Sequence, residues 1–417
     1  MYITILMYWY LTSRRSTMIY QANGKICRSW GDVALIQDEI KAQISKFSDE
    51  LWQIAHEIHS FRELKFEEYR SSKLLSEWLA QQGFVVDVGA AGLDTSFVAR
   101  KVHGENGPTV AILAEYDALP EIGHACGHNL IATMAVGAGV ALSEWLNQSC
   151  HAGQVMVVGS PGEEGGGGKI PLLEQGIFDT ADIAIMLHPA ARDEVNPKYL
   201  AREGLDFDFY GVPAHAASAP QRGVNALDAV VTFYQMINSL RQRLEPSDRI
   251  HGIITHGGDA PNVIPEHTTA RILVRSEGAD RVSDLLSWVV KAADASASGI
   301  GCTFKWKRFV PFYKNVKNNA GLVSLAEEAF SAFGREPTKV PQAHGSTDMG
   351  NISHKIPSLH ANIGLGEGLV GHTHEFCAAA DSVHGRRVME DGAGILAMIG
   401  VRYCTDVAQQ SLVGNTR

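Results

Sequence analysis

The chain has 417 residues, a length that predicts about two to three domains. Its 36 Lys and Arg residues against 46 Asp and Glu residues give a net charge of −10, which argues against a binder of nucleic acid or of anionic membranes, because both need a basic face. Hydrophobic residues at 45% and charged residues at 20% are typical of a folded globular protein and exclude bulk disorder and fibres.

The six cysteines are scattered without a paired framework, and a chain of this length needs no disulfides. The sequence therefore predicts a reducing, cytoplasmic compartment. No apolar stretch reaches the length of about 18 residues that a transmembrane helix needs. The start of the chain, residues 1–12, is apolar and aromatic but lacks the order of a signal peptide. We interpret residues 1–35 as an N-terminal extension that is disordered or miscalled, with Met18 as another possible start and a membrane anchor as the remaining alternative.

Helical periodicity comes first along the chain. Between about residue 38 and Gly83, apolar residues recur at steps of three and four, and Gly83 ends the second helix. Short apolar runs follow at 109–114, 155–158 and 183–187, with a helical segment at 129–146. Continuous apolar runs are typical of strands that are buried on both faces. The alternation predicts an α/β domain with a mixed sheet flanked by helices.

The middle of the chain has a different pattern. An alternating run at 205–210 precedes a helix at 225–244, strands at 250–255 and 270–274, a helix at 282–297 and a strand at 302–310. This β-α-β-β-α-β order predicts an inserted ferredoxin-like α+β domain at residues 199–313. Helices and strands alternate again afterwards, so we predict that residues 36–198 and 314–410 form one discontinuous domain.

The first cluster of chemical interest follows the strand at 109–114. Asp117 should lie at the carboxyl end of this strand, where open α/β sheets bind ligands. Cys126 and His128 flank Gly127, so a tight loop could turn a thiolate and an imidazole toward one point. The pair alone is weak evidence, because a buried structural cysteine is the commoner interpretation.

The second cluster is a glycine-rich stretch at 159–168 that contains Glu163 and Glu164. A glycine run can bind phosphate, but this one lacks a Gly-Lys-Ser/Thr ending, and two adjacent acids would repel the anion. Adjacent carboxylates suit a metal site better, since one can bind the ion while the other acts as a general base. A charged surface turn remains the alternative.

A third group consists of His188, His372 and His374, which lie at a strand end and in a loop. Taken singly, such histidines are usually ordinary surface or core residues. Five candidate ligands nevertheless follow strands or lie in loops of the same α/β layer: Cys126, His128, Glu164, His188 and His372. Five N, O and S ligands, one of them shared, would satisfy two divalent ions.

Four motifs in this order carry a resemblance to a known family: AEYDALP at 114–120, HACGHN at 124–129, EEGGGG at 163–168 and HTHEF at 372–376. They resemble the M20 metallopeptidases, in particular the aminoacylase-like amidohydrolase branch with the p-aminobenzoyl-glutamate hydrolases and β-alanyl-lysine dipeptidases. The resemblance covers about residues 39–404. It implies a dinuclear metal-dependent hydrolase that cleaves the amide bond of N-acyl amino acids, dipeptides or aroyl-amino acids with a metal-activated water. Zn²⁺ is favoured because a thiolate is among the ligands, with Mn²⁺ or Co²⁺ as alternatives.

The resemblance also implies a role for each residue. Cys126 would bridge the two metals where other branches use an aspartate, and Glu163 would be the general base and then the acid. Asp117 would orient a ligand. Four further residues would complete the two metal sites: His128, Glu164, His188 and His372. The family pattern His-Ser/Thr-x-x-aromatic selects His372 over His374 as the ligand. Glu115 is a departure, since relatives often have Asp there, which leaves one contact behind the metals open.

In the inserted domain, which the resemblance identifies as a lid and dimerisation domain, His215 would stabilise the oxyanion. Asn262 and Arg275 would bind the substrate's carboxylate, and an exposed strand end is the alternative interpretation of Arg275. A lid histidine often reaches the partner's site in dimeric members, which implies a homodimer. A carboxypeptidase or aminotripeptidase of the same family, and a non-catalytic relative that binds an amino-acid derivative, are the alternative functions.

Overall fold

The computed structural model of the chain describes residues 7–12, 15–22, 25–29, 33–339 and 345–415, with side chains described from residue 33 to residue 414 outside the gap at 340–344. Its contacts divide the chain into two compact units. The first unit comprises Met1–Pro197, Lys317–Pro341 and Asn351–Arg417, and the second comprises Lys198–Val316 and Gln342–Gly350, in each case as far as these residues are described.

The N-terminal extension contains three strands, which form one antiparallel sheet: β1 (Met7–Thr12), β2 (Arg15–Ala22) and β3 (Lys25–Ser29). Residues 1–6 lie outside the described residues. The interpretations of this segment as a miscalled start or an anchor stay predictions.

The first unit begins with two helices and continues as strands and helices that alternate. Its elements up to residue 190 are α1 (Val33–Phe61), α2 (Tyr69–Gln81), β4 (Val85–Val88), β5 (Phe97–His103), β6 (Thr109–Ala114), α3 (His128–Ser149), β7 (Gly153–Gly159), α4 (Lys169–Glu174) and β8 (Ile183–Ala190). Gly83 follows α2 with a φ of +81°, and its N–H donates to the Ala80 carbonyl while that of Phe84 donates to Leu79. This Schellman geometry needs a left-handed residue, which confirms the predicted helix end.

The second unit is a four-stranded antiparallel sheet with two helices on one face. Its elements are β9 (Ala201–Tyr210), β10 (Ala214–His215), α5 (Ala226–Leu240), β11 (Arg249–His256), β12 (Val263–Ile264), β13 (His267–Ser276), α6 (Ala279–Ile300) and β14 (Thr303–Tyr313). The strand order is β11-β13-β9-β14, and alternate residues of the strands form a buried core with α5 and α6. The predicted ferredoxin-like fold class is confirmed.

The chain then returns to the first unit, apart from Gln342–Gly350, which belong to the second unit as far as they are described. The remaining elements are α7 (Ala320–Ala332), α8 (Met349–Ser353), β15 (Ser358–Gly364), α9 (His374–Ala380), α10 (Val383–Thr405) and α11 (Val407–Asn415). The six-stranded sheet has the order β15-β8-β6-β7-β5-β4. Strands β15, β8, β6 and β7 are parallel, and β5 pairs in antiparallel fashion with both β7 and β4. The predicted mixed sheet is confirmed, and the carboxyl ends of its parallel strands lie at one edge.

Helix α3 is the centre of the first unit's core. It packs against β6, β7 and β8 as well as against α1 and α10. A Cβ atom at Gly392 of α10 would lie 2.1 Å from the Met134 sulfur of α3, so a larger residue there would force the Met134 side chain to move. Among the described helices, α3 alone has the length and composition of a membrane span, and 94% of its apolar window is buried within the protein.

The structure corrects one expectation about the cysteines. Cys126, Cys302, Cys377 and Cys404 are free thiols. Cys150 is disulfide-bonded, although the scattered spacing indicated no paired framework, and its partner lies outside the described side chains.

Candidate metal centre

The five predicted ligands converge beyond the carboxyl ends of the parallel strands. The ligand atoms of Cys126, His128 and His188 lie within 4.8 Å of one another, and so do those of Cys126, Glu164 and His372. The thiol of Cys126 is therefore common to two potential metal sites. A third group of the same size joins His128 to Glu163 and Glu164, which places the predicted base beside the ligands. The individual ligand roles stay predictions.

Gly127 determines how Cys126 and His128 come together. It has a φ of +74° and precedes the first residue of α3, which is His128. A Cβ atom at this position would lie 3.0 Å from the Cγ of Pro189. The left-handed turn therefore needs glycine, because a side chain would be strained by φ and crowded by Pro189.

Asp117 holds two of the candidate ligands. Its Oδ1 atom accepts a hydrogen bond from His128 Nδ1 at 3.0 Å, and its Oδ2 atom accepts one from the backbone N–H of Glu164 at 2.9 Å. Burial would raise the pKa of Asp117, but His128 and the Glu164 N–H outweigh burial and lower it. Asp117 is thus an ionised acceptor for a proton on His128 Nδ1, so His128 would bind a metal ion through Nε2.

The chemistry of these side chains fits a cation. His128 Nε2 and Glu164 Oε1 are buried and have no hydrogen-bond partner among the described residues. Buried polar atoms without a partner are costly, and a divalent ion is the partner that suits an imidazole nitrogen, a thiolate sulfur and a carboxylate oxygen together. His188 is also held through Nδ1, which donates to the Pro189 carbonyl at 2.7 Å, so its Nε2 atom is available to bind a metal ion.

His372 reaches the site from the loop before α9. Its N–H donates to the Ala125 carbonyl at 2.9 Å, its φ is +63°, and its Nε2 lies 3.6 Å from Glu164 Oε1. The next residue, Thr373, caps α9 by accepting from the Phe376 N–H. The Thr and Phe positions of the His-Thr-x-x-Phe pattern are thus the N-cap and the third helical residue of α9, which fixes the start of the helix directly after His372. His374 is the first residue of α9 and belongs to none of the three groups.

Glu115 and Lys169 form a buried ion pair beside the candidate ligands. Glu115 Oε1 lies 2.5 Å from Lys169 Nζ, and both side chains are completely buried. Glu115 Oε2 lies 3.5 Å from His128 Nε2. Burial alone would raise the pKa of Glu115, but Lys169, His128 and His188 lower it to about 2. The longer acid at this position is therefore explained by Lys169, a residue that the sequence analysis missed.

We expect Lys169→Met to lower the free energy of unfolding by about 3–5 kcal/mol, because the buried Glu115 carboxylate would lose its cation. Chemical denaturation measures this change. The control is the double variant Lys169→Met/Glu115→Leu, which removes both charges and should recover most of the loss. A single variant as stable as the parent would contradict the proposed importance of the pair.

Glu68 is a second residue that the sequence analysis missed. Its Oε1 atom accepts from the Gly162 N–H at 2.8 Å, and its Oε2 atom accepts from the Thr95 hydroxyl at 2.8 Å. Glu68 is completely buried, so it anchors the start of the loop that carries Glu163 and Glu164. No spacing in the sequence connects position 68 with the glycine run, and the contact is visible only in the fold.

Three predicted residues lie in the second unit. His215 Nδ1 accepts from the backbone N–H groups of Ala217 and Ser218 at 3.2 Å, so a neutral ring carries its proton on Nε2. Asn262 lies beside it, since its carbonyl accepts from the Ala216 N–H at 3.0 Å. Arg275 lies on β13 and donates to the Ser346 hydroxyl at 3.0 Å. Within the described residues, no hydrogen bond joins Arg275 to Asn262.

The chain is similar to several known proteins. Residues 111–393 match the model of peptidase family M20/M25/M40. The Xaa-Arg dipeptidase of Mus musculus is 34% identical over 375 residues, which are 85% of this chain and 85% of the relative. One of the subunits of the p-aminobenzoyl-glutamate hydrolase of Escherichia coli is 33% identical over 318 residues, which are 72% of this chain and 65% of the relative.

Solved structures have the same fold. The crystal structure of a Bacillus subtilis protein described as a dinuclear metal binding peptidase from the M20 family has a TM-score of 0.68 at 20% identity. The likeness covers 86% of this chain and 99% of that one. The match to the family model and the identity to the mouse relative confirm the resemblance seen in the motifs. The chain belongs to peptidase family M20/M25/M40 and is a hydrolase of that family.

Proposed function

We propose that this chain hydrolyses the amide bond of an N-acyl amino acid, a dipeptide or an aroyl-amino acid at a site that holds two divalent cations. The observation that carries the proposal is the shared thiol of Cys126, which is common to two groups of three ligand atoms. The names of the relatives support the substrate class, since they include a dipeptidase, an aroyl-glutamate hydrolase and an N-acetylcysteine deacetylase.

The residues that would hold the cations are Cys126, His128, Glu164, His188 and His372. When bound, the two cations would activate a water molecule and polarise the substrate's carbonyl group. We propose Zn²⁺ as the native ion, because a set of one thiolate, three imidazoles and one carboxylate suits it. Mn²⁺ and Co²⁺ are the alternatives that metal reconstitution separates.

Glu163 would move the protons of the reaction. Its carboxylate lies within 4.8 Å of the ligand atoms of His128 and Glu164, and the residue is 9% exposed. It would accept the proton of the attacking water and pass it to the leaving amine. One carboxylate can serve both steps, because proton acceptance in the first step prepares the acid for the second.

The second unit would supply the remaining contacts. His215 would donate from Nε2 to the oxygen that becomes negative, since its Nδ1 is already occupied as an acceptor. Asn262 and Arg275 would bind the substrate's carboxylate, for which the planar fork of arginine is suited. We further propose a homodimer through this unit, in which His215 of one copy serves the site of the other.

A chelation experiment with a substrate panel tests this function. We expect the metal-loaded protein to hydrolyse members of a panel of N-acyl amino acids, aroyl-amino acids and dipeptides, to lose this activity on dialysis against chelator, and to regain it with Zn²⁺, Mn²⁺ or Co²⁺. Blocking the free amino group separates an amidohydrolase from an aminotripeptidase, which needs that group. Undiminished hydrolysis by the metal-free protein, or no hydrolysis by a protein that binds two ions, would overturn the proposal.

A further inference from the structure

Two arginines face each other on the sheet of the second unit. Arg202 of β9 is directly opposite Arg275 of β13 in the antiparallel register. Residues that are directly opposite share a face, with Cβ atoms about 4.5–5.5 Å apart. The neighbouring positions Leu205 and Ile272 belong to the core formed with α5 and α6, so strand alternation places both arginines on the face away from these helices.

Neither arginine has an acidic partner among the described residues. Arg202 is only 8% exposed, and its guanidinium group stacks on the ring of Tyr313 at 3.9 Å without a hydrogen bond or ion pair to any described residue. The guanidinium group of Arg275 donates to the Ser346 hydroxyl and to no other described residue. Burial and the neighbouring Arg202 lower the pKa of Arg275, as expected of two close cations without a counter-ion.

The acids near this row are already paired with other arginines. The ion pairs are Asp206 with Arg271, Asp248 with Arg281 and Glu203 with Arg308. The next arginine of the row, Arg249, is opposite Arg275 on the other side and donates to the backbone carbonyls of Pro246 and Asp248. Arg202 and Arg275 are therefore two cations whose charge no described residue of this unit compensates. Arg202 is buried, and a buried charge is costly without a ligand.

We propose that Arg202 acts with Arg275 to bind the amino-acid half of the substrate, and that this half carries two carboxylates, as glutamate and aspartate do. This inference rests on the proposed function. A dicarboxylate balances two guanidinium groups, whereas a single carboxylate leaves one charge unpaired. If the amino-acid half were arginine, its side chain would meet two like charges. We therefore expect this chain to prefer an acidic amino acid in that half, unlike the arginine that the name of the mouse Xaa-Arg dipeptidase states.

The test compares three substrates that share one acyl group and differ in the amino acid, which is L-glutamate, L-glutamine or L-arginine. The acyl group is the one that gives the fastest hydrolysis in the panel above. For the parent protein with metal bound, we expect kcat/KM to fall in that order. Arg202→Gln should reduce the preference for glutamate over glutamine about 10- to 100-fold, mainly through KM, because charge-assisted hydrogen bonds are lost. Arg275→Gln should act in the same direction.

Arg249→Gln is the matched control, because Arg249 lies in the same row but donates to backbone carbonyls, and it should leave the preference unchanged. Calorimetric titration of L-glutamate and L-glutamine measures binding without turnover. Loss of glutamate binding in Arg202→Gln would support the inference even if no substrate were hydrolysed, in which case the proposed function alone fails. Hydrolysis with equal preference for glutamate and glutamine, or an equal loss for all three substrates in Arg202→Gln, would overturn the inference and leave the proposed function intact.

Discussion

Glu163→Gln is expected to abolish nearly all amide hydrolysis while the protein keeps both metal ions. Glutamine has the shape of glutamate but cannot accept the proton of the attacking water. General acid–base catalysis contributes about 10²–10⁴-fold, and we expect a loss near the upper limit because Glu163 would act in both proton transfers. The measurements are kcat for the best substrate of the panel and the metal content by mass spectrometry of the same preparation.

The matched control is Glu174→Gln, which makes the same change at an exposed position at the end of α4 and should leave kcat unchanged. Turnover by Glu163→Gln at the parent rate would show that another group is the base. Loss of metal together with activity would instead assign Glu163 to the ligands, which its distance to His128 and Glu164 makes a meaningful alternative.

The second large effect is expected for Cys126→Ala. Because the thiol is common to both groups of ligand atoms, its removal should weaken the binding of both ions, whereas His188→Ala and His372→Ala each remove a ligand of one group. The loss of an outer partner of a ligand already costs about 10- to 100-fold in metal affinity, so the loss of a shared ligand should cost more. We expect Cys126→Ala to bind less metal than either histidine variant and to have no measurable hydrolysis.

Cys302→Ala is the control for the loss of a thiol, since Cys302 is a buried free cysteine in the core of the second unit. It should keep the parent's metal content. If Cys126→Ala retained two ions per chain, the shared role of the thiol would be wrong. Two ions that bind independently would then have to be held by the imidazoles and carboxylates alone.

The two buried charges behind the ligands matter for the interpretation of such variants. Asp117 holds both His128 and Glu164, while Glu115 lies 3.5 Å from His128 Nε2 and is paired with Lys169. A substitution of Asp117, Glu115 or Lys169 changes the orientation of a candidate ligand or the charge beside it, although none of the three is itself a candidate ligand. The metal content must therefore be measured for every variant before a change in rate is attributed to proton transfer.

Much of the fold follows from local patterns in the sequence. The apolar run at 109–114 is β6 with the same bounds, because a strand buried on both faces needs an uninterrupted apolar segment. The helix predicted at 225–244 ends as α5 at Leu240, and residues 241–243 continue as a short 3₁₀ turn. Helix ends depend on the last few hydrogen bonds, which periodicity does not specify.

The sequence by itself determined the main helices and strands from β6 onward, the mixed and ferredoxin-like sheets, and the motifs whose residues converge on one centre. These depend on spacings of a few residues, and the motifs at 114–120 and 163–168 come at the ends of β6 and β7, whose positions are set by their own apolar runs. Only the tertiary structure decided the partners of the charges: Lys169 beneath Glu115, Glu68 on Gly162, and Arg202 opposite Arg275. These pairs are separated by 54 to 94 residues along the chain, and no local pattern encodes which strand or loop lies beside which.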